Sequence, residues 1–355
     1  MDRAELEGRL AQGEVFEEVS LDGLDLTGLD MGGAVLSKVS LRGARLAGAR
    51  LSEATLSECD LGEAVLDGAA LRHANVVQCK LGGASLRGAN LNGLNLVESD
   101  VTGADLSEST LSIANVNNCA FGKASFAKAN LDRAAFVGSR FDESDMTGAN
   151  LTKATFFRTD LTTTKLDGAI LHTTIFTESN LRGKSFKGQR LPYVQLIDVD
   201  LEGACFDGAV VEQTNFKGAK LTKATFAGAR AKQAIFHQAT LTLAVMAGAD
   251  LFQAIFQEAS AEGLDATGCN LEQSIWIQAK CRAAKFVRSN LTYADFSHAD
   301  LSLADLSGAK MYRTRLHRSL QDGTIFPAGG AGALGDEREL AEAEDWWEQH
   351  RPKRQ

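Results

Sequence analysis

The chain has 355 residues, with 46 acids against 37 bases (net charge −9), 44% hydrophobic residues and six cysteines. Its longest apolar runs are a few residues, far short of the ~20 that cross a bilayer as a helix, and the acidic N-terminus has no secretory pattern. Six cysteines without a disulfide-framework spacing fit a reducing, cytoplasmic compartment.

Residues 1–13 read as a short N-terminal cap, with Leu6 and Leu10 four apart on one helical face. From Phe16 to Leu316 every fifth residue then occupies one slot without an insertion or a phase slip, which makes 61 consecutive pentapeptides. Leu fills that slot 33 times and Phe 15 times. The remainder are four Met, four Val, three Ala, Trp276 and Cys281. Two residues earlier lies a small slot, holding Ala in 34 of 61 repeats. A fixed period over 300 residues means a stacked repeat architecture. Neither the helical period of about 3.6 nor the strand period of about 2 fits it. One extended stretch turns the small and large side chains inward, and the polar remainder makes a corner. Four corners close a square coil of 20 residues.

The large slots test that four-fold reading. Phe136, Phe156, Phe176, Phe216, Phe236, Phe256, Trp276 and Phe296 fall on one side of the coil, interrupted only by Leu196. The side holding Leu51, Leu71, Leu91, Leu111, Leu131, Leu151, Leu171 and Leu191 has no Phe. Stacking of each coil on the next produces such a ladder. Cys59, Cys79, Cys119 and Cys269 occupy small slots and Cys281 a large one, as small buried hydrophobes. Cys59 and Cys79 lie one coil apart, within reach of a disulfide that a reducing compartment keeps open.

Charge drifts along the repeats. Glu14 to Asp67 carries 11 acids against 4 bases, whereas Lys217, Lys220, Lys223, Arg230 and Lys232 lie between Glu212 and Asp250 with no acid among them. A solvated surface and a bipolar docking surface both fit this drift. Two places break the repeat rules. In one coil Lys184, Gln189, Val194 and Val199 replace the small residues, with Pro192 and Tyr193 alongside. Burying long polar side chains unpaired costs on the order of a few kcal/mol. That coil is either widened, with Lys184 and Gln189 reaching outward, or a partner-binding ridge that includes Tyr193. Ala231, Ala261, Ala266 and Cys281 underfill the large slot and hint at a slimmer or bent stretch.

The second break is the C-terminus. The solenoid is read as 14–318, followed by a linker over 319–335, rich in Gly and Ala, and a helical tail over 336–355. Ile325 and Phe326 are expected to fold over the last coil. Asp336 is expected to cap the helix, with Arg351, Lys353 and Arg354 complementing its dipole. Leu340, Ala343 and Trp347 share a face, with Trp346 beside them. A tethered Trp pair is expected to bury itself on the solenoid, on a partner or in self-association. The candidate partner-binding residues are therefore Lys184, Gln189, Tyr193, Leu340, Trp346 and Trp347.

No catalytic motif emerges. The six His show no metal-ligand spacing on a helix or hairpin, and a core filled by Leu, Phe and Ala leaves no internal substrate cavity. No enzyme, cofactor or metal is expected. Ala89-Asn90-Leu91, Ala104-Asp105-Leu106, Ala149-Asn150-Leu151, Ala249-Asp250-Leu251 and Ala304-Asp305-Leu306 carry an A-(D/N)-L-x-x pattern. With it the chain resembles the pentapeptide-repeat proteins over about 300 residues. The resemblance implies an all-β fold, a right-handed quadrilateral β-helix. Sixty-one repeats give about 15 coils, or roughly 73 Å at ~4.8 Å per strand. It also implies a bacterial protein–protein interaction scaffold or adaptor, since proteins of similar plan accompany type VI secretion effectors. Other members mimic duplex DNA and bind DNA gyrase. The near-neutral repeats beyond Asp67 lack a duplex's regular charge of about one phosphate per 1.7 Å, so no direct nucleic-acid partner is expected.

Overall fold

The computed structural model describes residues 2–328 and 332–350, in two compact units, Met1–Leu181 and Arg182–Gln355. The first unit opens with helix α1 (Arg3–Ala11). Asp2 caps it by accepting the Glu5 N–H at 2.9 Å, and Leu6 is fully buried while Leu10 is half-buried. Nine parallel strands follow at 20-residue intervals, from Phe16–Glu17 (β1) and Val35–Ser37 (β2) to Ile175–Thr177 (β9). They pair in strict register, as in Phe16↔Leu36 and Phe156↔Phe176. The other three sides of each coil pair through single bridges at the same offset, such as Ser20↔Ser40, Asp25↔Arg45 and Asp30↔Arg50. The coil therefore has four sides. The second unit holds β10 (Gln195–Ile197), and its ladders continue as single bridges, Gln195↔Asn215↔Ile235 and onward to Arg315↔Leu334.

The backbone explains the pattern. In Ala104-Asp105-Leu106-Ser107-Glu108 the Ala N–H closes a turn onto Val101 O at 3.1 Å. The Asp105 N–H bonds back to Ala84 O, and those of Leu106 and Glu108 bond forward to Ser125 O and Ala127 O, at 2.7–2.9 Å. The fifth N–H, of Ser107, has no backbone acceptor; the Asp105 carboxylate takes it at 2.9 Å. Ala294 to His298 repeats the scheme, with Ser297 N–H on Asp295 at 2.9 Å. Asp or Asn before the large residue thus completes the accounting of buried donors.

A conformational cost comes with this arrangement. The last residue of the repeat takes a left-handed backbone, and among the described residues 37 such positions are not glycine. Ile113, β-branched at φ 55°, is among the most hindered. The left-handed conformation costs roughly 1–2 kcal/mol for a residue with a Cβ. The ladder bond donated by the same residue, Ile113 N–H to Asp132 O at 3.0 Å, offsets that cost.

Large slots fill the core. In the first unit Phe136, Phe156 and Phe176 stack at 5.1 Å centroid steps, and Phe121 stacks on Phe141 at the same distance. In the second unit Phe216, Phe236, Phe256, Trp276 and Phe296 form a ladder with steps of 3.9–5.5 Å. A further ladder, Phe186–Phe206–Phe226, rises on the opposite side and meets the first edge-to-face, Phe206 against Phe216 at 5.5 Å. Ala231, Ala261, Ala266 and Cys281 are fully buried. The Trp276 indole is also fully buried, with its Nε1–H donated to Ser274 Oγ at 2.9 Å.

All six thiols are free, and the Cys59 N–H points at Cys79 Sγ at 3.3 Å. Burial pushes the Cys119 thiol up to about 11 and that of Cys269 to about 12. At the C-terminal end the ladder runs on through Leu320 and Ile325, and Leu334 pairs with Arg315. Ladder pairing therefore enters the segment read as a linker. Ile325 does not fold over the last coil as expected. It pairs with Asp305 in the outward-facing position and stays 54% exposed, with Phe326 at 38%.

Phe236→Asp places a carboxylate between two stacked rings. The loss should exceed the ~3–5 kcal/mol of a Phe truncation, read as a large fall in melting temperature; an unchanged transition would contradict the inward assignment. Acid should loosen the fold for a separate reason. The Thr27 and Ser307 hydroxyls, with the N–H groups of the same residues, hold the Asp25 and Asp305 carboxyls below their ordinary value. As pH falls the unfolded chain takes up protons first, so this stability is complete above about pH 4 and disappears below it. Melting temperature should therefore fall as the pH is lowered below about 4, and Asp305→Asn, which keeps the acceptor but not the charge, should flatten the drop.

Candidate functional site

Helix α2 (Arg338–His350) forms from a run rich in Ala, Glu and Leu, with Glu339 in its first turn and an Arg338–Glu342 pair at 2.9 Å. It starts two residues later than Asp336, because that carboxylate is engaged elsewhere: it accepts the Arg318 N–H at 2.7 Å. Arg351, Lys353 and Arg354 lie outside the described residues.

The helix docks through its acidic face. Glu344 reaches His298 Nε2 through Oε1 and His317 Nε2 through Oε2, each at 3.2 Å. The Glu337 N–H donates to His317 Nδ1 at 3.1 Å. With Nδ1 accepting, the proton of neutral His317 sits on Nε2 and points at Glu344. Arg318 Nη2 donates to Ala341 O at 2.8 Å and to Asp345 at 2.5 Å. Its Nε lies 3.2 Å from Glu344 Oε2 but is misaligned for a hydrogen bond, so this buried N–H has no acceptor. The two imidazoles meet edge-to-face at 5.5 Å, and the His317 side chain is only 3% exposed. His298, His317 and Glu344 bring their ligand-type atoms within 4.8 Å of one another. A search for ligand spacing on helices and hairpins misses them, because residues 19 apart become neighbours only through stacking of coils.

The apolar residues take the other role. Leu340 is 44% exposed and Trp346 and Trp347 are each 59% exposed. The tail therefore docks without burying its tryptophans on the solenoid, the first of the three placements expected for them. Trp346 stacks on His350 at 4.5 Å. Trp347 lines a cleft of about 550 Å³ with Gln278, His298, Arg318, Ala343 and Glu344.

The coil from Lys184 to Val199 separates into two halves. Val194 and Val199 are fully buried, as the small slot demands. Lys184 and Gln189 are half-buried, and Gln189 Oε1 is enclosed without a hydrogen-bond partner. Tyr193 is 47% exposed in the left-handed corner position at φ 63°. The same corner column continues as Gln213, Gln233, Gln253 and Gln273, whose amides bond in series at 2.8 Å. Nearby, Lys232 and Arg230 pair with Asp250 and Glu212, at 3.4 and 2.7 Å.

The family model for a pentapeptide repeat region matches residues 114–186. That for pentapeptide repeats (8 copies) matches 15–52, 49–88, 77–112, 195–238, 219–258, 234–273 and 279–318. The chain belongs to the pentapeptide-repeat family. Among solved structures it is similar to HetL, a pentapeptide repeat protein involved in heterocyst differentiation regulation from the cyanobacterium Nostoc sp. strain PCC 7120. The identity is 26%, over 74% of this chain and 96% of HetL, with a TM-score of 0.27. It is also similar to QnrB1, a plasmid-mediated fluoroquinolone resistance protein, at 18% identity over 60% of this chain and 96% of QnrB1, with a TM-score of 0.36. A pentapeptide repeat protein from the Arabidopsis thaliana thylakoid lumen shares 26% identity over 36% of this chain and 68% of its own, with a TM-score of 0.20. No curated protein matches the sequence. Among the described residues no helix is long and apolar enough to cross a membrane.

Arg318→Ala removes the guanidinium that grips Asp345 and Ala341. The tail should then become a substrate for limited proteolysis after the solenoid. The main thermal transition should move by no more than the ~1 kcal/mol typical of exposed ion pairs. Equal protease resistance in both proteins would contradict the docking.

Proposed function

We propose that this pentapeptide-repeat protein is a non-catalytic scaffold that recruits a protein partner through α2. The observation that carries this reading is the pair Trp346 and Trp347, 59% exposed on a helix whose polar face is already engaged. Docking through Glu344 and Asp345 holds the helix in place and leaves its aromatic surface open. Tryptophan is among the residues that dominate binding energy when a partner desolvates it. Leu340 extends the same apolar surface, and Lys184, Gln189 and Tyr193 form a second contact region in the same unit. The solenoid acts as a filled spacer, with reaction chemistry left to the partner. A cytoplasmic, reducing setting accords with its six free thiols. The adaptor role belongs with an effector secretion system of the type VI kind.

The test is affinity capture from the native host with the full-length protein and with a Trp346→Ser/Trp347→Ser variant. A secretion effector or spike component should bind the first and be lost at least tenfold from the second. Recovery of DNA gyrase by both would replace the scaffold reading with topoisomerase mimicry.

A further inference from the structure

We propose that His298, His317 and Glu344 form a binding site for one divalent transition-metal cation of the zinc class, which clamps α2 onto the coils that carry the two histidines. A tetrahedral zinc centre with ligands at about 2.1 Å holds its donor atoms about 3.4 Å apart. The separations from His298 Nε2 to Glu344 Oε1 and from His317 Nε2 to Glu344 Oε2 are 3.2 Å each, close to such an edge. One donor atom from each of the three residues lies within 4.8 Å of the other two. A cation between them needs the imidazoles to close on a common oxygen, or the carboxylate to chelate through both.

The platform is rigid where rigidity matters. His298 and His317 stand on consecutive coils joined by the His298 N–H to His317 O bond at 2.8 Å. The third ligand arrives on a helix, whose residue 344 can adjust by a side-chain rotation. Two imidazoles and one carboxylate, with no thiolate, suit Zn²⁺, Co²⁺, Ni²⁺ or Cu²⁺. Ca²⁺ and Mg²⁺ prefer all-oxygen shells. The cleft lined by Gln278, Arg318 and Trp347 gives an entry path and room for a water as the remaining ligand. Arg318 is a competing cation beside Glu344, but Asp345 at 2.5 Å draws its charge away from the site.

Metal binding and tail position are coupled through one proton. A cation on His317 Nε2 moves the proton to Nδ1, which can then no longer accept from the Glu337 N–H. Asp336 Oδ1, 3.8 Å from that Nδ1, is the carboxylate placed to receive it. Histidine ligands usually hand their second N–H to such a group. The residues just before α2 therefore re-set when the cation enters, while Glu344 gains a bond stronger than the hydrogen bonds it gives up.

The experiment uses metal-stripped full-length protein titrated with Co²⁺, read by its visible tetrahedral absorption, and with Zn²⁺ by calorimetry. One equivalent should bind, with quenching of tail tryptophan fluorescence by Co²⁺. His298→Asn and Glu344→Gln should each weaken binding at least tenfold, whereas His350→Asn on the same helix should leave it unchanged. His298 is partly exposed, so its variant keeps the fold, and a circular-dichroism melt checks this. Absence of binding at millimolar Zn²⁺ would overturn the proposal. So would an affinity indifferent to both ligand variants, or Ca²⁺ binding as tightly as Zn²⁺.

Discussion

Everything in this protein follows from the need to satisfy five backbone N–H groups in every five residues. Three bond to coils on either side, one closes a turn, and one is left for a side chain. That remainder suits Asp or Asn ahead of the large apolar residue, as Asp105 and Asp295 illustrate. It also fixes the left-handed corner, because only that conformation lets residues such as Glu108 and His298 aim their N–H along the stack. The aromatic ladders come second: they fill the interior that the hydrogen bonds have already spaced at one strand per coil.

Two sets of contacts hold α2 and its surroundings, and they differ in kind. Inside the solenoid, burial is complete and largely apolar. Where α2 docks, the contacts are charged and polar, around His298 and the buried His317, whose side chain is only 3% exposed. Exposed ion pairs of this sort contribute at most about 1 kcal/mol each, so the tail is held by several weak bonds that a competing partner or ligand can exchange. The apolar packing of the core offers no such exchange.

The fold was legible because its signal is periodic and long. The ladder from Phe136 to Phe296 could be sorted out of the sequence by the 20-residue spacing alone. The opposing ladder, Phe186–Phe206–Phe226, was equally present but emerges only when the other sides are sorted as well. The left-handed corners were hidden, since Gly is only one of many residues found there and Ile113 or Tyr193 gives no hint of a positive φ. The docking face of α2 was hidden for another reason. A helical wheel marks Leu340, Ala343 and Trp347 as the sticky face, yet the receiving surface is made of His298, His317 and Arg318. His298 lies 19 residues before His317, which adjoins Arg318, and the three become one polar receiving surface only after coils stack. Lys184 and Gln189 were visible as exceptions, and the structure gives the physical form of the exception in a half-buried pair with an amide oxygen lacking a donor.

The column Gln213–Gln233–Gln253–Gln273 has a property that no single residue in it possesses. Each amide donates through Nε2 to the Oε1 of the next, so all four point the same way. Aligned amides polarise one another, and the row becomes an uncharged filament with a head and a tail. Its donor end lies at Gln273 and its acceptor end at Gln213. A molecule lying along that side of the unit would meet a donor at one end of the row and an acceptor at the other, so the row itself distinguishes one orientation of a bound chain from its reverse.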